Sequence, residues 1–305
     1  MPPASELGNF LKNRRAALLP EDVGLVPYGD RRRVPGLRRE ELCMLAGVSV
    51  THYTRLEQGR SNSASQEVLN AIAQALRLDE DETAHLMNLA APGRCVAPGS
   101  LCPEHASSSA RQLINAMADV PALVLDRRND VLAWNPLGHA LLAGHLDFDS
   151  VDAPERRPNL TRLLFLDEHF HELYTDWAEE AALAVASLRL TAGRYPDDRR
   201  LAELIGQLTM QSPAFAERWT RHPVRTCTSG TKRLHHPTVG TMELAFETLQ
   251  IPGSPGQRII AYSAEPGSAS EGALRLLGGA VADTAARHKR DNARGQRDGQ
   301  AQAHP

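Results

Sequence analysis

Residues 37–59 read LRREELCMLAGVSVTHYTRLEQG, and this stretch decides the fold of the N-terminal part of the chain. Four apolar positions fall on one face at helical spacing: Leu37, Leu42, Leu45 and Ala46. Gly47 gives the backbone freedom that a tight turn needs, and Ser49 can cap a following helix. The stretch therefore predicts two helices joined at a sharp angle.

The second of these helices has a polar outer face. Tyr53 and Leu56, with Val48 just before the helix, are predicted to point inward. The outer face is formed by Thr51, Arg55 and Gln58, which follow i, i+4, i+7 spacing. His52 lies at the edge of this face. Such a face can enter the major groove of DNA, although a helical hairpin in an unrelated bundle would show the same short pattern.

Flanking patterns supply three more helices. Residues 4–18 and 65–76 are amphipathic, the latter with Ser65 as its predicted N-cap. Asp79 followed by Glu82 is typical of the N-terminus of a last helix. Five helices of this order and length resemble the lambda-repressor-like (Cro/C1, xenobiotic-response-element type) DNA-binding domain, so we expect an all-α helix-turn-helix domain over residues 1–91.

Arginines are concentrated ahead of the helix-turn-helix. Arg31, Arg32, Arg33, Arg38 and Arg39 lead into it, and Lys12, Arg14 and Arg15 are expected to join them from the first helix. Phosphates are the natural partner of such a cluster, and a solvated charged loop is the alternative. Net charge gives no support, because the chain has 34 Lys and Arg against 37 Asp and Glu.

The helix-turn-helix residues are assigned separate roles. Thr51, His52 and Arg55 are predicted to contact base edges, Val50 a thymine methyl group, and Arg38 and Arg39 phosphate. The full set of predicted DNA-binding residues is Arg31, Arg32, Arg33, Arg38, Arg39, Ser49, Val50, Thr51, His52, Arg55, Gln58 and Arg60. Double-stranded operator DNA is the expected partner, bound by a homodimer.

Composition argues against several other classes of protein. The chain has 305 residues, of which 42% are hydrophobic and 23% charged, as in a soluble protein of two domains. The N-terminal MPPASELGNF has no secretion signal, and no apolar run approaches the ~20 residues that span a bilayer. We therefore expect no membrane role and a cytoplasmic location.

Cysteine and histidine spacing predicts neither disulfides nor a metal site. The four cysteines are too scattered for a disulfide framework: Cys43, Cys95, Cys102 and Cys227. Cys95 and Cys102 with His105 lack the close cysteine pairs of a zinc knuckle. The remaining pairs, which show no established ligand spacing, are His169 with His171 and His235 with His236.

A Pro/Gly/Ser-rich stretch at 92–110 predicts a linker, followed by a second domain over 111–288 and a disordered tail over 289–305. The predicted helices of the second domain lie at 110–118, 136–146, 159–192, 197–210 and 269–288. The predicted strands lie at 122–126, 131–135, 224–230, 232–237, 239–251 and 257–264. Short strands with intervening helices indicate an α+β domain with an antiparallel sheet.

The order of several segments in this domain resembles the MmyB-like ligand-binding domain. They are DVLAWN at 130–135, NLTRLLFLD at 159–167, LYTDWAEEAA at 173–182, FAERWTRHPV at 215–224, GTKRLHHPTVG at 230–240 and AEPGSAS at 264–270. The N-terminal RRRVPGLRREEL and GVSVTHYTRLEQGR resemble the helix-turn-helix of the same regulators. The resemblance implies a PAS-like fold and a bacterial transcription regulator that senses an apolar, fatty-acid-like molecule.

Aromatic residues of the second domain are candidates to line the ligand pocket, and ordinary core packing is the alternative for each. These candidates are Trp134, Phe165, Phe170, Tyr174, Trp177 and Trp219. A polar end of the ligand needs a partner, for which Arg162, Tyr174 or His222 are predicted. Beyond a bound fatty acid or similar apolar ligand, no cofactor is expected.

Two other functions remain open for the second domain. It can serve only for dimerisation or protein docking, because pocket lining and interface both look like apolar surface. It can also be an enzyme, with acid-base chemistry from Asp167, Asp176, His222, His235 and His236. No nucleophile elbow, phosphate-binding glycine loop or metalloprotease motif is present, so no catalytic residues are expected.

Overall fold

The computed structural model describes residues 6–25, 36–60, 64–90, 105–221, 228–254 and 256–284. Contacts divide the chain into two compact units. The N-terminal unit comprises Met1–Ser100 and Ala181–Thr226, and the sheet unit comprises Leu101–Glu180 and Cys227–Pro305. This division differs from the predicted consecutive domains, because 181–226 groups with the N-terminal residues. Most of the predicted linker and the tail lie outside the described residues.

The N-terminal unit begins with five helices in the predicted order. They are α1 (Glu6–Ala17), α2 (Arg39–Ala46), α3 (Val50–Glu57), α4 (Gln66–Ala75) and α5 (Glu80–Ala90). A short 3-10 helix follows α1 at Glu21–Val23. Their shared core includes Phe10, Leu42, Tyr53, Leu56, Ile72 and Leu86, all fully buried. The helical N-terminal fold is confirmed.

Local capping explains where these helices begin and end. Gly47 adopts a φ of 64°, a left-handed conformation that ends α2. The Ser49 hydroxyl accepts a hydrogen bond from the His52 backbone N–H at 3.1 Å and so caps α3. Ser65 caps α4 as predicted, through the backbone N–H of Val68 at 3.4 Å.

The prediction that Leu45 of α2 points inward is wrong. Leu45 is 37% exposed, whereas Leu42 and Cys43 are buried. The reason is helical phase, since Leu37 precedes the helix and does not belong to its periodicity. The buried face is centred on Leu42, Cys43 and Ala46, and Leu45 lies at its edge.

Three helices far along the sequence also belong to the N-terminal unit. They are residues 181–194 of α10 (Trp177–Arg194), α11 (Arg199–Gln211) and α12 (Pro213–Thr220). Leu190 packs against the core of the first five helices. Gly193 lies so close to His85 that a Cβ atom there would stand 2.5 Å from the His85 Cε1. Helix α12 was not among the predicted elements.

The sheet unit contains one antiparallel five-stranded sheet in the order β2-β1-β5-β4-β3. The strands are β1 (Ala122–Leu125), β2 (Val131–Trp134), β3 (Ser229–His236), β4 (Gly240–Gln250) and β5 (Arg258–Ser263). All residues of β1 and β2 are buried, whereas burial alternates along much of β3 and β4. The predicted antiparallel sheet is confirmed.

Helices of the sheet unit flank these strands in sequence. They are α6 (Ser108–Ala116), α7 (Pro136–Ala143), α8 (Leu160–Leu166), α9 (Glu168–Leu173) and a terminal helix, α13, over 269–284. The single helix predicted over 159–192 is therefore three helices. Asp167 ends α8 and caps α9 through the Phe170 N–H at 3.3 Å, and Tyr174 then forms a bridge to Leu234 before α10 begins.

Two predicted strands at 224–230 and 232–237 are replaced by one. The described part of this region is the continuous strand β3, while 224–227 lie outside the described residues. Thr231, which separated the two predicted strands, lies inside β3 and is paired with Ala245 of β4.

Candidate functional site

The outer face of α3, defined by Thr51, Arg55 and Gln58, is exposed to solvent as predicted. Val50 at the start of the helix is 40% exposed. His52 is half-buried. Tyr53 and Leu56 on the opposite side are fully buried and fix the rotation of the helix. The face therefore presents one guanidinium, an amide and a hydroxyl, which are the groups that read base edges.

Beneath this face lies a buried ion cluster that the sequence did not reveal. The Glu57 carboxylate, 2% exposed, accepts hydrogen bonds from Arg15 Nε at 3.1 Å and from Arg15 Nη2 at 3.0 Å. Arg39 Nη2 donates to the same carboxylate at 2.7 Å. Arg15 Nη1 also donates to the Leu37 carbonyl at 2.6 Å. These bonds join α1, α2 and α3.

This cluster corrects part of the predicted phosphate surface. Arg15 is 7% exposed and serves the fold, because its guanidinium is held by a carboxylate 42 positions away in sequence. Arg14 pairs with Glu82 at 2.5 Å. Arg39 keeps 41% of its side chain exposed while it contacts Glu57, and Arg38 and Arg60 are exposed. Arg31, Arg32 and Arg33 lie outside the described residues.

Burial and hydrogen bonding act in opposite directions on Glu57. Burial alone would raise the pKa of its carboxyl group, but the hydrogen bonds and charges of Arg15 and Arg39 lower the pKa below its ordinary value. The carboxylate is thus ionised wherever the helices are folded at neutral pH.

The sheet unit contains a cavity of about 810 Å³. Helix α7, the residues that follow it, His169 on α9, the β3–β4 turn and α13 form its walls. Its apolar lining includes Ala140, Phe148, Leu277, Ala280 and Val281. A concave, largely apolar site of this size has the usual form of a small-molecule pocket.

Four histidines also line the cavity: His139, His145, His169 and His236. The rings of His145 and His169 lie with their centroids 4.2 Å apart. His145 Nε2 is 3.2 Å from Asp167 Oδ2. The sequence pairs His169–His171 and His235–His236 were considered for metal binding, but only one member of each pair faces this cavity. No group of three His, Cys, Asp or Glu in the described ranges is placed to hold a metal ion.

The aromatic residues predicted to line a ligand pocket are not among the described residues that line this cavity. Trp134 and Phe170 are buried, and the ring centroids of Trp134 and His139 lie 4.7 Å apart. Tyr174 is also buried, and Phe165 packs edge-on against Trp177 at 5.8 Å. Packing explains this result, because large aromatic side chains chiefly fill the core.

The predicted polar partners of the ligand are likewise elsewhere. Arg162 is exposed at the start of α8. The remaining aromatic candidate, Trp219, lies in the N-terminal unit and stacks on Phe215, with the ring centroids 5.5 Å apart. His222 lies outside the described residues. The histidines that line the cavity were not among the predicted ligand residues because they come from α7, the segment after it, α9 and β3, which only the fold brings together.

The described residues weighed for acid-base catalysis form separate contacts. Asp176 binds Arg233 in a bidentate ion pair, with both distances 2.6 Å. His235 Nδ1 is 3.1 Å from Thr241 Oγ1, and His236 Nε2 donates to the Ala140 carbonyl at 3.0 Å.

Among the described helices, none is both long and apolar enough to cross a bilayer.

Comparison with protein families gives two matches. A family model of the MmyB-like transcription regulator ligand binding domain matches residues 106–277, more than half of the chain. A model of a helix-turn-helix domain matches residues 6–86. Comparison with curated proteins gives no match.

Proposed function

The chain belongs to the MmyB-like transcription regulators that carry an N-terminal helix-turn-helix domain, and from this premise we propose a sequence-specific DNA-binding regulator that senses an apolar, acyl-chain-like molecule. The observation that carries the proposal is the exposed outer face of α3 in the same chain as a cavity of about 810 Å³ inside the matched ligand-binding domain. Both matched families are regulatory, so an enzyme is the less favoured reading.

The outer face of α3 is the proposed reader of DNA sequence. We expect Arg55→Ala to cost about 1–3 kcal/mol of specific binding and to relax preference at one base position, because a guanidinium donates two hydrogen bonds to guanine. The measurement is the affinity for the selected operator and for operators altered at single positions. Unchanged base preference would mean that α3 is oriented differently.

Arg38→Ala is the matched control for that experiment. Arg38 is exposed beside α2 and is the proposed phosphate contact, so its loss weakens all DNA sequences alike and lowers the salt dependence. Arg39 is less suitable, because its removal also disturbs the Glu57 cluster.

The assembly on DNA is proposed to be a homodimer. A single α3 covers few base pairs, and specific affinity normally comes from two half-sites about 34 Å apart. We expect footprinting to show two protected half-sites and a dimer bound. One protected half-site with a single bound chain would refute this prediction.

The sheet unit is the proposed sensor, with a PAS-like arrangement. A single antiparallel sheet with helices, and a cavity lined by those helices and the β3–β4 turn, support this assignment. On α13, Leu274 and Leu277 are buried while Leu276 is 71% exposed, so one face of the helix packs within the sheet unit. The apolar lining favours an acyl chain over a polar metabolite.

Helix α10 is the proposed route between sensing and DNA binding. It runs unbroken from Trp177 to Arg194, with Trp177–Glu180 in the sheet unit and the remainder in the N-terminal unit. In the sheet unit Glu180 pairs with Lys232. In the N-terminal unit the guanidinium of buried Arg189 lies 3.8 Å from the Trp219 ring centroid. A ligand that binds one state of the protein more tightly than another would shift the population of states.

Selection of DNA from a random pool tests the proposed function. Full-length protein stripped of bound lipid is used with and without a lipid extract of its host. We expect an enriched sequence with two half-sites and a yield that depends on the extract. Recovery of unenriched DNA under both conditions would contradict the proposal.

A further inference from the structure

Helix α13 supplies one wall of the cavity in the sheet unit. Leu277, Ala280, Val281 and Thr284 line the cavity. Their spacing of i, i+3, i+4 and i+7 places them on one face of the helix. The other walls are α7, the residues that follow it, His169 and the β3–β4 turn. The last two turns of α13 therefore close one side of the cavity.

The two ends of α13 differ in how much packing holds them. Over 269–277, Leu274 and Leu277 are 7% and 4% exposed and anchor the helix in the sheet unit. Over 280–284, none of the described residues is buried, since Val281 is half-buried and the other four are exposed. Local stability follows buried apolar contact, so the segment 280–284 opens more readily than the anchored part of the helix.

Two adjacent glycines, Gly278 and Gly279, separate the anchored part from the segment 280–284. Both are helical and neither has a positive φ, so the backbone conformation does not require glycine. Space does not require it either. A Cβ atom on Gly278 would stand 3.9 Å from the Leu137 Cδ1, and one on Gly279 would meet no atom within 4 Å.

The glycine pair weakens the helix at this point. In a helix interior each glycine disfavours the helical state by roughly fivefold relative to alanine, because it loses more backbone freedom. The matched family model ends at residue 277, immediately before the pair. The segment 280–284, which adds three residues to the cavity lining, thus lies beyond the matched domain.

We propose that the segment 280–284 is a lid on the cavity and that ligand enters and leaves when the lid opens at Gly278 and Gly279. The inference rests on the proposed sensing function and adds the route by which the cavity is reached. The structure shows the lid closed, with Ala280 and Val281 lining the cavity. The anchored part of α13 stays in place during opening, because Leu277 keeps its buried contacts.

A lid has a kinetic signature that a fixed wall lacks. The lid is closed both in the empty protein and in the complex, so a substitution that stabilises the closed helix stabilises both states equally. It therefore slows association and dissociation of the ligand by one common factor and leaves Kd unchanged. A substitution that reshapes a fixed wall changes Kd instead.

Stopped-flow fluorescence tests this inference with N-phenyl-1-naphthylamine, a neutral apolar probe, and lipid-stripped full-length protein. Excess dodecan-1-ol displaces the probe and reports its dissociation. We expect Gly278→Ala and Gly279→Ala each to slow association and dissociation by roughly fivefold, with Kd unchanged. Gly272→Ala is the matched control, because it changes the anchored part of the same helix, where a Cβ atom also meets no atom within 4 Å. Its two rate constants stay at the wild-type values.

Amide hydrogen exchange gives a second measurement, which needs no ligand. In the wild type, residues 280–284 are expected to exchange faster than residues 273–277. Gly279→Ala slows exchange at 280–284 by roughly fivefold, because the open state becomes rarer by that factor. Gly272→Ala leaves exchange at 280–284 unchanged.

Several outcomes overturn the inference. Wild-type rate constants in both Gly278→Ala and Gly279→Ala would remove the lid and leave apolar sensing intact, as would a changed Kd without equal slowing of the two rate constants. If an alanine variant does not fold, exchange in the wild type decides, since equally slow exchange at 280–284 and 273–277 contradicts a lid. Failure of both the probe and dodecan-1-ol to bind the wild type would remove the apolar-cavity proposal, and this inference with it.

Discussion

Glu57→Gln is expected to lower the free energy of unfolding of the N-terminal unit by about 3–5 kcal/mol, the usual cost of removing one partner from a buried ion pair. Arg15, whose side chain is 9% exposed, would lose its only buried carboxylate contact among the described ion pairs. Amide hydrogen exchange in α1 and α3 measures the effect, with an expected acceleration of roughly a hundredfold or more. The affinity of Glu57→Gln for the operator is expected to fall together with its stability.

Glu217→Gln is the matched control. Glu217 and Arg221 form an exposed ion pair one helical turn apart in the same unit. Screening by water limits its contribution to about 0.5 kcal/mol. An equal effect of the two substitutions would show that the Glu57 cluster is not a buried one.

Acid has a related effect with a defined sign. Because the folded pKa of Glu57 is lowered, its stabilising contribution is complete above the unfolded pKa and is lost as pH falls through the folded pKa. Glu57→Gln should therefore lose less stability between neutral and acidic pH than the wild type. An equal loss of stability in Glu57→Gln and in the wild type between neutral and acidic pH would contradict this prediction.

Asn135→Ala is expected to destabilise the sheet unit by at least about 3 kcal/mol, because buried backbone groups lose their partners. The Asn135 Oδ1 accepts from the Ala122 N–H at 3.1 Å and from the Gly138 N–H at 2.7 Å. Its Nδ2 donates to three backbone carbonyls that follow or end α6: Ile114, Met117 and Val120. One side chain thus ties α6, β1 and α7 together.

Exchange protection of β1 and β5 reports this change, since both strands pair in the sheet. Asn115→Ala, exposed on α6, is the control and is expected to change stability by no more than about 0.5 kcal/mol. Full protection of β1 in Asn135→Ala would mean that the hydrogen-bond network is dispensable.

Local rules account for the parts of the fold that could be predicted. Ser49, Ser65 and the Asp79–Glu82 pair act within a single helical turn, so their roles can be read from neighbouring residues. The strand character of β4 likewise follows from alternation along the chain. These features gave the helix order and the antiparallel sheet.

Long-range pairing accounts for the parts that could not be predicted. Arg15 appeared to be a surface cation because its partner Glu57 lies in another helix. The ring contact between His145 and His169 joins a residue that follows α7 to a residue of α9, a spacing that no motif describes. The grouping of residues 181–226 with the N-terminal helices has no local signal either. Each of these depends on tertiary contacts, which periodicity does not encode.

The central claim is that ligand occupancy of the sheet unit changes DNA binding by the same chain. The most direct test is the affinity of lipid-stripped full-length protein for its selected operator, measured with and without saturating dodecanoate. We predict at least about a fivefold difference, which corresponds to roughly 1 kcal/mol of coupling. Equal operator affinity in both states, together with an unchanged melting temperature, would contradict ligand sensing and favour a sheet unit that serves dimerisation alone.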